Sequence, residues 1–242
     1  MLRSKIEFIL LEYTKSLTYK NLDNIIDIDS FLRLDEEICM GIAKSDPHIC
    51  DPGSRVIKLD QDLVYPYEVE PLWKDELKHL TTYQKRTFLK YYRKVHYAVG
   101  GIFLRTHKGY KNKHLSQGAE WTDNAKHFPQ LVEYIKTLPF TEIGRVFFFT
   151  LDHFSILTEH RDSMYDGLDD SVSEFLWFTI DKNAMRFYVK DDNDVKHYIE
   201  STCAWFNDND RHSSDGVMDA TFCLRIDGVF TEEFREKFKC IP

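Results

Sequence analysis

The chain has no cysteine framework. Its five cysteines, Cys39, Cys50, Cys203, Cys223 and Cys240, are odd in number and form no CxxC pair. That excludes a disulfide scaffold and predicts reduced thiols in a cytosolic protein. Cys203 and Cys223 lie in apolar runs, which marks them as small core residues. Long hydrophobic runs are missing as well. No stretch approaches the ~20 apolar residues that span a bilayer. The opening "MLRSKIEFILLEYTKSL" carries Glu7 and Glu12 inside its apolar pattern. It reads as an amphipathic helix and not as a signal peptide. Excess positive charge is absent too. A net charge of −8 argues against a nucleic-acid partner, which needs clustered Lys and Arg. The most basic run, "YQKRTFLKYYRKVHY" at 83–97, reads as an amphipathic helix with a solvated basic side. Glycine is scarce, and there is no internal repeat or low-complexity segment.

What remains is an aromatic, well-patterned chain. Hydrophobic residues make up 43% of its 242 residues and aromatics 14%, enough for a packed core. Residues 2–18 show apolar spacings of three and four, as a helix does. A second helix is expected over 29–43, capped by Asp29 or Ser30. A loop over 45–55, a strand at "RVIKLD" and a helix over 72–96 follow. "AVGGIFLRT" predicts a strand entered through a glycine pair. Residues 107–124 are polar and aperiodic, the pattern of a long loop, and long loops are often lids. Its Lys108, Lys111, Lys113, Tyr110 and Trp121 suit an anionic group; a plain solvated loop is the other reading. A helix capped by Asp123 or Asn124 comes next, with Pro139 after its end.

From residue 143 the character changes. "IGRVFFFTLDHFSILTEH", "EFLWFTID", "MRFYVKD", "CAWFND" and "ATFCLRIDGVF" are short aromatic and β-branched runs split by turn residues. They predict an antiparallel sandwich or barrel. Helices first and strands afterwards make the class α+β, with helices bracing one sheet. No linker is evident, so 1–242 reads as a single domain, with 1–97 mainly helical and 98–242 forming the core.

The chemistry-bearing pattern is "HRD". Side chains two apart on a strand share a face, so His160 and Asp162 would point together if the strand from 154 continues through them. With 10 His and 24 Asp in 242 residues, about one H-x-D is expected by chance, so alone it is equally a charged turn. His212 adds a second imidazole, just past an apolar run in a polar loop. Two histidines and one carboxylate are the facial set of non-haem Fe(II) oxygenases. Arg225, between Leu224 and Ile226, is a charge inside an apparent strand. That is costly unless paired, and a guanidinium can clamp a carboxylate through two parallel bonds. A solvent-facing arginine on an edge strand is the alternative. Asp208 and Asp210 suit either acceptors that orient His212 or plain turn residues.

H-x-D, then about fifty residues, then His, then Arg within fifteen: with "IGRVFFFTLDHFSILTEHRD", "CAWFNDNDRHSSDG" and "CLRIDGVF", this order resembles the double-stranded β-helix 2-oxoglutarate/Fe(II) dioxygenases. It is similar to their aspartyl/asparaginyl β-hydroxylase branch, which includes bacterial proline hydroxylases. The resemblance covers roughly 140–232. It implies a jelly-roll, cupin-like core, Fe(II) on His160, Asp162 and His212, and Arg225 on the C5 carboxylate of 2-oxoglutarate. It also implies O2 as co-reactant and a free amino acid or peptide as the substrate. The chain departs from some members, which carry a second basic residue on the strand after H-x-D, where "SEFLWFTID" has Trp177. Phe147, Phe149, Phe154 and Trp177 would be apolar walls of the site or simply core. Rival readings are a non-catalytic cupin-like binding protein, an oxygenase acting on nucleic acid through 83–97, and a zinc hydrolase, which would leave Arg225 without a role.

Overall fold

The computed structural model describes residues 18–45, 100–107, 113–151, 159–162, 173–181, 186–215 and 221–241. The expected helices over 2–18 and 72–96, the "RVIKLD" strand, the basic run at 83–97, His153 and Phe154 lie outside them. So does the 45–55 loop beyond Ser45.

Among the described residues, ten strands build two antiparallel sheets. They are β1 (Tyr19–Asn21), β2 (Gly100–His107), β3 (Ala119–Trp121), β4 (Phe140–Leu151), β5 (Phe175–Thr179), β6 (Phe187–Lys190), β7 (Lys196–Tyr198), β8 (Cys203–Phe206), β9 (His212–Ser214) and β10 (Thr221–Phe230). The large sheet runs β1-β8-β5-β10-β4-β2-β3 and the small one β7-β6-β9. A bridge between His160 and His212 adds the segment at 160 to the free side of β9. After β4 the chain passes back and forth between the two sheets, turning round at the β6–β7 hairpin of the small one, which is the winding of a double-stranded β-helix. The jelly-roll class expected from the sequence is therefore what is found, widened by β1 at one edge and β2 and β3 at the other.

Register fixes which residues share a face. Trp177, Arg225, Phe147 and Phe103 lie side by side across β5, β10, β4 and β2. Phe178, Leu224, Phe148 and Ile102 form the neighbouring row, which faces the other way. The second row meets helices. Phe178 packs on Phe31 and Tyr134, with ring centroids 4.7 and 6.1 Å away, and Phe148 packs on Phe128 at 5.2 Å. The first row meets the small sheet, where Trp177 touches Phe187 at 5.3 Å. Helices therefore cover the outside of the large sheet, and its other face is the barrel interior.

The helices are α1 (Ile28–Leu32), α2 (Asp35–Lys44), α3 (Pro129–Thr137) and α4 (Glu232–Lys239). The single helix expected over 29–43 is two, broken at Arg33 and Leu34. The cap is Asp27, whose carboxylate accepts from the Ser30 amide. The expected cap at Asp123 or Asn124 is also corrected. Thr122 caps a 3₁₀ turn over Asp123–His127, and α3 begins only at Pro129. The orphan amides of α3 at Gln130 and Leu131 donate to the Glu37 carboxylate of α2, which ties the two helices together. Residues 119–127 are strand and 3₁₀ turn, so only part of the expected loop over 107–124 is irregular. No described helix is long and apolar enough to cross a membrane.

Candidate metal centre

His160, Asp162 and His212 come together where the two sheets meet. Backbone bonds in both directions join His160 and His212, and the Asp162 amide donates to the Asp208 carbonyl at 3.0 Å. The chain before Asp162 and the chain before His212 are thus laced side by side. His212 opens β9 and is not in a loop, a correction to its expected setting. One donor atom from each of the three residues lies within 4.8 Å of the others. The Nε2 atoms of His160 and His212 lie 3.6 and 3.5 Å from Asp162 Oδ1. Bonds of about 2.0–2.2 Å to one small ion suit that spacing.

The His212 and Asp162 side chains are held from behind. His212 Nδ1 lies 2.9 Å from the Asp210 carbonyl. That bond sets the proton on Nδ1 and leaves the Nε2 lone pair for a ligand. It is the backbone of Asp210, not its carboxylate, that orients the ring. Phe206 and Phe187 pack on the imidazole at 5.2 and 5.8 Å, and the two histidine rings stand 4.5 Å apart. Asp162 Oδ2 accepts from Arg225 Nη1 at 2.6 Å, so Oδ1 is the oxygen that faces the imidazoles. Burial alone would push the Asp162 carboxyl up. Arg225, His212 and Lys113 outweigh it and hold the group well below the usual carboxylate range. It is an anion at neutral pH, as a ligand must be.

Arg225 is 5% exposed and points into the barrel, which excludes the solvent-facing reading. Its three nitrogens each meet a carboxylate. Nε donates to Asp227 at 2.7 Å, Nη1 to Asp162 and Nη2 to Asp208, both at 2.6 Å. The guanidinium carbon stands 3.8 Å from the centre of the Phe175 ring. Arg145 of β4 donates to the other oxygen of Asp227 at 2.7 Å. Lys113 reaches Asp208 Oδ2 at 3.3 Å and Asp162 Oδ2 at 3.8 Å. Such a cluster is tolerable inside a barrel because every charge has a partner.

His160, Asp162, His212 and Arg225, the four residues singled out in the sequence, lie together in the structure. Sequence reading did not foresee Arg145 or Asp227, or where Lys113 goes. Lys113 falls in the expected long polar loop, read as a lid or as plainly solvated, yet it is 5% exposed and lies within the cluster. Gly144 makes that possible. A Cβ there would lie 2.1 Å from the Lys113 carbonyl oxygen and 2.7 Å from the His114 carbonyl carbon, so only glycine lets segment 113–114 pass so close to β4. His114, beside Lys113, is half-buried. Its Nδ1 lies 3.2 Å from the Glu174 carbonyl. Burial pushes its imidazole down, despite the pull of Asp227, so it adds no charge. Trp177 lies opposite Arg225, and no second cation stands on β5. The cations that accompany Arg225 come from β4 and from segment 113–114. Of the expected walls, Trp177 is buried in the interior, and Phe147 stacks on Phe103 and under Arg145.

No family profile matches the chain, and no curated protein matches it. Solved structures do resemble it. A 2OG-Fe(II) oxygenase family oxidoreductase from Burkholderia pseudomallei aligns with a TM-score of 0.36 at 10% identity, over 52% of this chain and 66% of that one. A prolyl-4-hydroxylase from Pseudomonas putida aligns at 0.31 and 8%, over 46% and 69%. A cupin domain from Bordetella pertussis aligns at 0.25 and 8%, over 36% and 82%. The chain spans just under two thirds of the first of these. None of these likenesses bears on chemistry.

Proposed function

We propose that the chain is an Fe(II)- and 2-oxoglutarate-dependent dioxygenase that hydroxylates an unactivated C–H of a free amino acid or a peptidyl residue. One observation carries the proposal: two imidazole Nε2 atoms and one ionised carboxylate oxygen converge inside a jelly roll, beside a buried arginine. Neutral nitrogen donors with one hard oxygen suit ferrous iron. His160, Asp162 and His212 would hold the ion. Arg225 would take the C5 carboxylate of 2-oxoglutarate: Asp227 anchors its Nε, Nη1 reaches Asp162 and Nη2 reaches Asp208, and the cosubstrate would share or displace one of these Nη contacts. When bound, the pair supplies the oxidant, as O2 and 2-oxoglutarate are converted to CO2 and succinate while a substrate C–H becomes C–OH.

Charge supports the choice of cosubstrate. Among the described residues of the cluster, Lys113, Arg145 and Arg225 face Asp162, Asp208 and Asp227. That set is balanced. A divalent ion adds two positive charges to a desolvated interior, and a dianion such as 2-oxoglutarate offsets both. A zinc hydrolase on the same ligands would use only water and leave that charge unmatched. Phe187 and Phe206 pack on the His212 imidazole, with Trp177 behind Phe187, and limit water on that side, which favours an oxidant that must be shielded.

The test is succinate release from 2-oxoglutarate with Fe(II), screened over free amino acids and short peptides. His160→Ala and Asp162→Ala should abolish stimulated release with the fold retained, and full turnover in either would sink the assignment. Arg225→Ala should raise the 2-oxoglutarate requirement sharply; an unchanged requirement means the clamp lies elsewhere. A cupin-like binding protein predicts no succinate with any substrate. An oxygenase acting on nucleic acid predicts stimulation by DNA or RNA that is lost with added salt.

A further inference from the structure

We propose that Asp208 is a positioning residue for the metal centre, holding the Asp162 carboxylate in register with the two imidazoles. The inference rests on the reading of His160, Asp162 and His212 as metal ligands.

Asp208 occupies the short connection between β8 and β9, four residues before His212. It is 1% exposed, and both its backbone and its side chain act on the centre. Its carbonyl accepts the Asp162 amide at 3.0 Å, which fixes the main chain of that ligand. Its Oδ2 accepts from Arg225 Nη2 at 2.6 Å and from Lys113 Nζ at 3.3 Å. The same two cations reach Asp162 Oδ2, Arg225 at 2.6 Å and Lys113 at 3.8 Å. Asp208 and Asp162 therefore share one pair of cations. With Asp208 present, Arg225 forks between two carboxylates and draws on one oxygen of Asp162. Without the Asp208 charge, Arg225 Nη2 and Lys113 lose that carboxylate, Asp162 is the other one both cations reach, and they compete with a metal ion for its electrons. A fork is needed for this, because a guanidinium can bridge two carboxylates in a fixed geometry and an ammonium cannot.

The experiment is titration of the apoprotein with Co(II), followed by calorimetry and by the visible ligand-field absorption of the bound ion. Asp208→Asn keeps the shape and the backbone bond but removes the charge. It should weaken Co(II) binding by about 10–100-fold, the usual loss when a group that orients a ligand is removed. It should also change the absorption band of the ion that does bind, which a loss of stability alone would not do. Asp208→Glu, which restores the charge, should recover part of the affinity. Arg225→Lys provides an independent arm should Asp208→Asn not fold, and it should weaken binding in the same way. Asp215→Asn, in an ion pair with Lys196 away from the centre, should leave Co(II) affinity unchanged. Affinity and spectrum within two-fold of wild type in Asp208→Asn, or in Arg225→Lys where only that folds, would overturn the proposal and leave the metal reading standing. A wild-type protein that binds no Co(II) would overturn both.

Discussion

Replacing Asp227 by Asn is the most direct test of the charged interior. Asp227 is fully buried on β10. Its two oxygens receive Arg145 Nε and Arg225 Nε, each at 2.7 Å. Asparagine keeps the volume but leaves two guanidinium groups facing a neutral amide whose NH2 group cannot accept from either. Breaking a buried pair by removing one partner costs about 3–5 kcal/mol. At ~2–4 °C per kcal/mol for a chain of this size, Tm should fall by about 6–20 °C. Thermal unfolding followed by circular dichroism at pH 7 measures this. Asp227→Asn with Arg145→Met should recover part of the loss, because the cost comes from the stranded cation. The pH dependence has a definite sign. Burial by itself would push the Asp227 carboxyl up; Arg145 and Arg225 outweigh it, and the group stays far below the ordinary range. A folded-state pKa below the unfolded value of ~3.9 gives stability that is complete above that value. It is lost as pH falls from there toward the folded value. The gap between wild type and variant should be constant from pH 5 to 7 and narrow below pH 4. A Tm change under 2 °C, or a gap that widens on acidification, would refute the account of a paired interior.

Two further perturbations probe the packing. Gly144→Ala puts a methyl group 2.1 Å from the Lys113 carbonyl oxygen, which backbone must yield to. It should cost about 1–3 kcal/mol, read from urea unfolding; a variant of wild-type stability would show that segment 113–114 does not pass there. Iodoacetamide at pH 8 should label Cys240 of the native protein and spare Cys39, Cys203 and Cys223, checked by peptide mass mapping. Burial pushes the Cys223 thiol up to about 12, so thiolate is scarce, and a labelled Cys223 in folded protein would contradict its placement.

The four site residues were legible because each broke a local rule. His160 and Asp162 ended an apolar run, His212 repeated that setting, and Arg225 interrupted a strand. The same logic reaches Arg145, a charge in "IGRVFFF", and Asp227, two residues from Arg225 and so on its face. Lys113 could not be found this way. Its burial depends on Gly144, thirty-one residues on, and a close approach between two backbones leaves no periodic signal. Short elements failed for another reason. β7 and β9 have three residues each, and their sequences, "KHY" and "HSS", carry almost no strand preference; pairing with β6 makes them strands. Helix α4 was missed although Phe230, Phe234 and Phe238 recur every four residues. The first ends β10, so the pattern straddles two elements.

Strand β10 shows why a site of this kind is hard to separate from an ordinary surface by periodicity. In "TFCLRIDGVF" the apolar residues Phe222, Leu224 and Ile226 alternate with Cys223, Arg225 and Asp227. Alternation normally means one face in the core and one in water. Here all six are buried. The apolar face packs on the helices, and the polar face is the inside of the barrel. Water is replaced there by partners drawn from distant parts of the chain: Asp162 after the His160 bridge, Asp208 before β9, Arg145 on β4, and Lys113 across Gly144. The arginine that an edge strand would place in solvent is, on a strand held between β5 and β4, a charge that can exist only with those partners. Neutralising any one of the three carboxylates should therefore disturb the other two through Arg225. A double-mutant cycle between Asp208→Asn and Asp227→Asn should be non-additive in stability by more than about 0.5 kcal/mol. Strict additivity would mean that Arg225 does not join them.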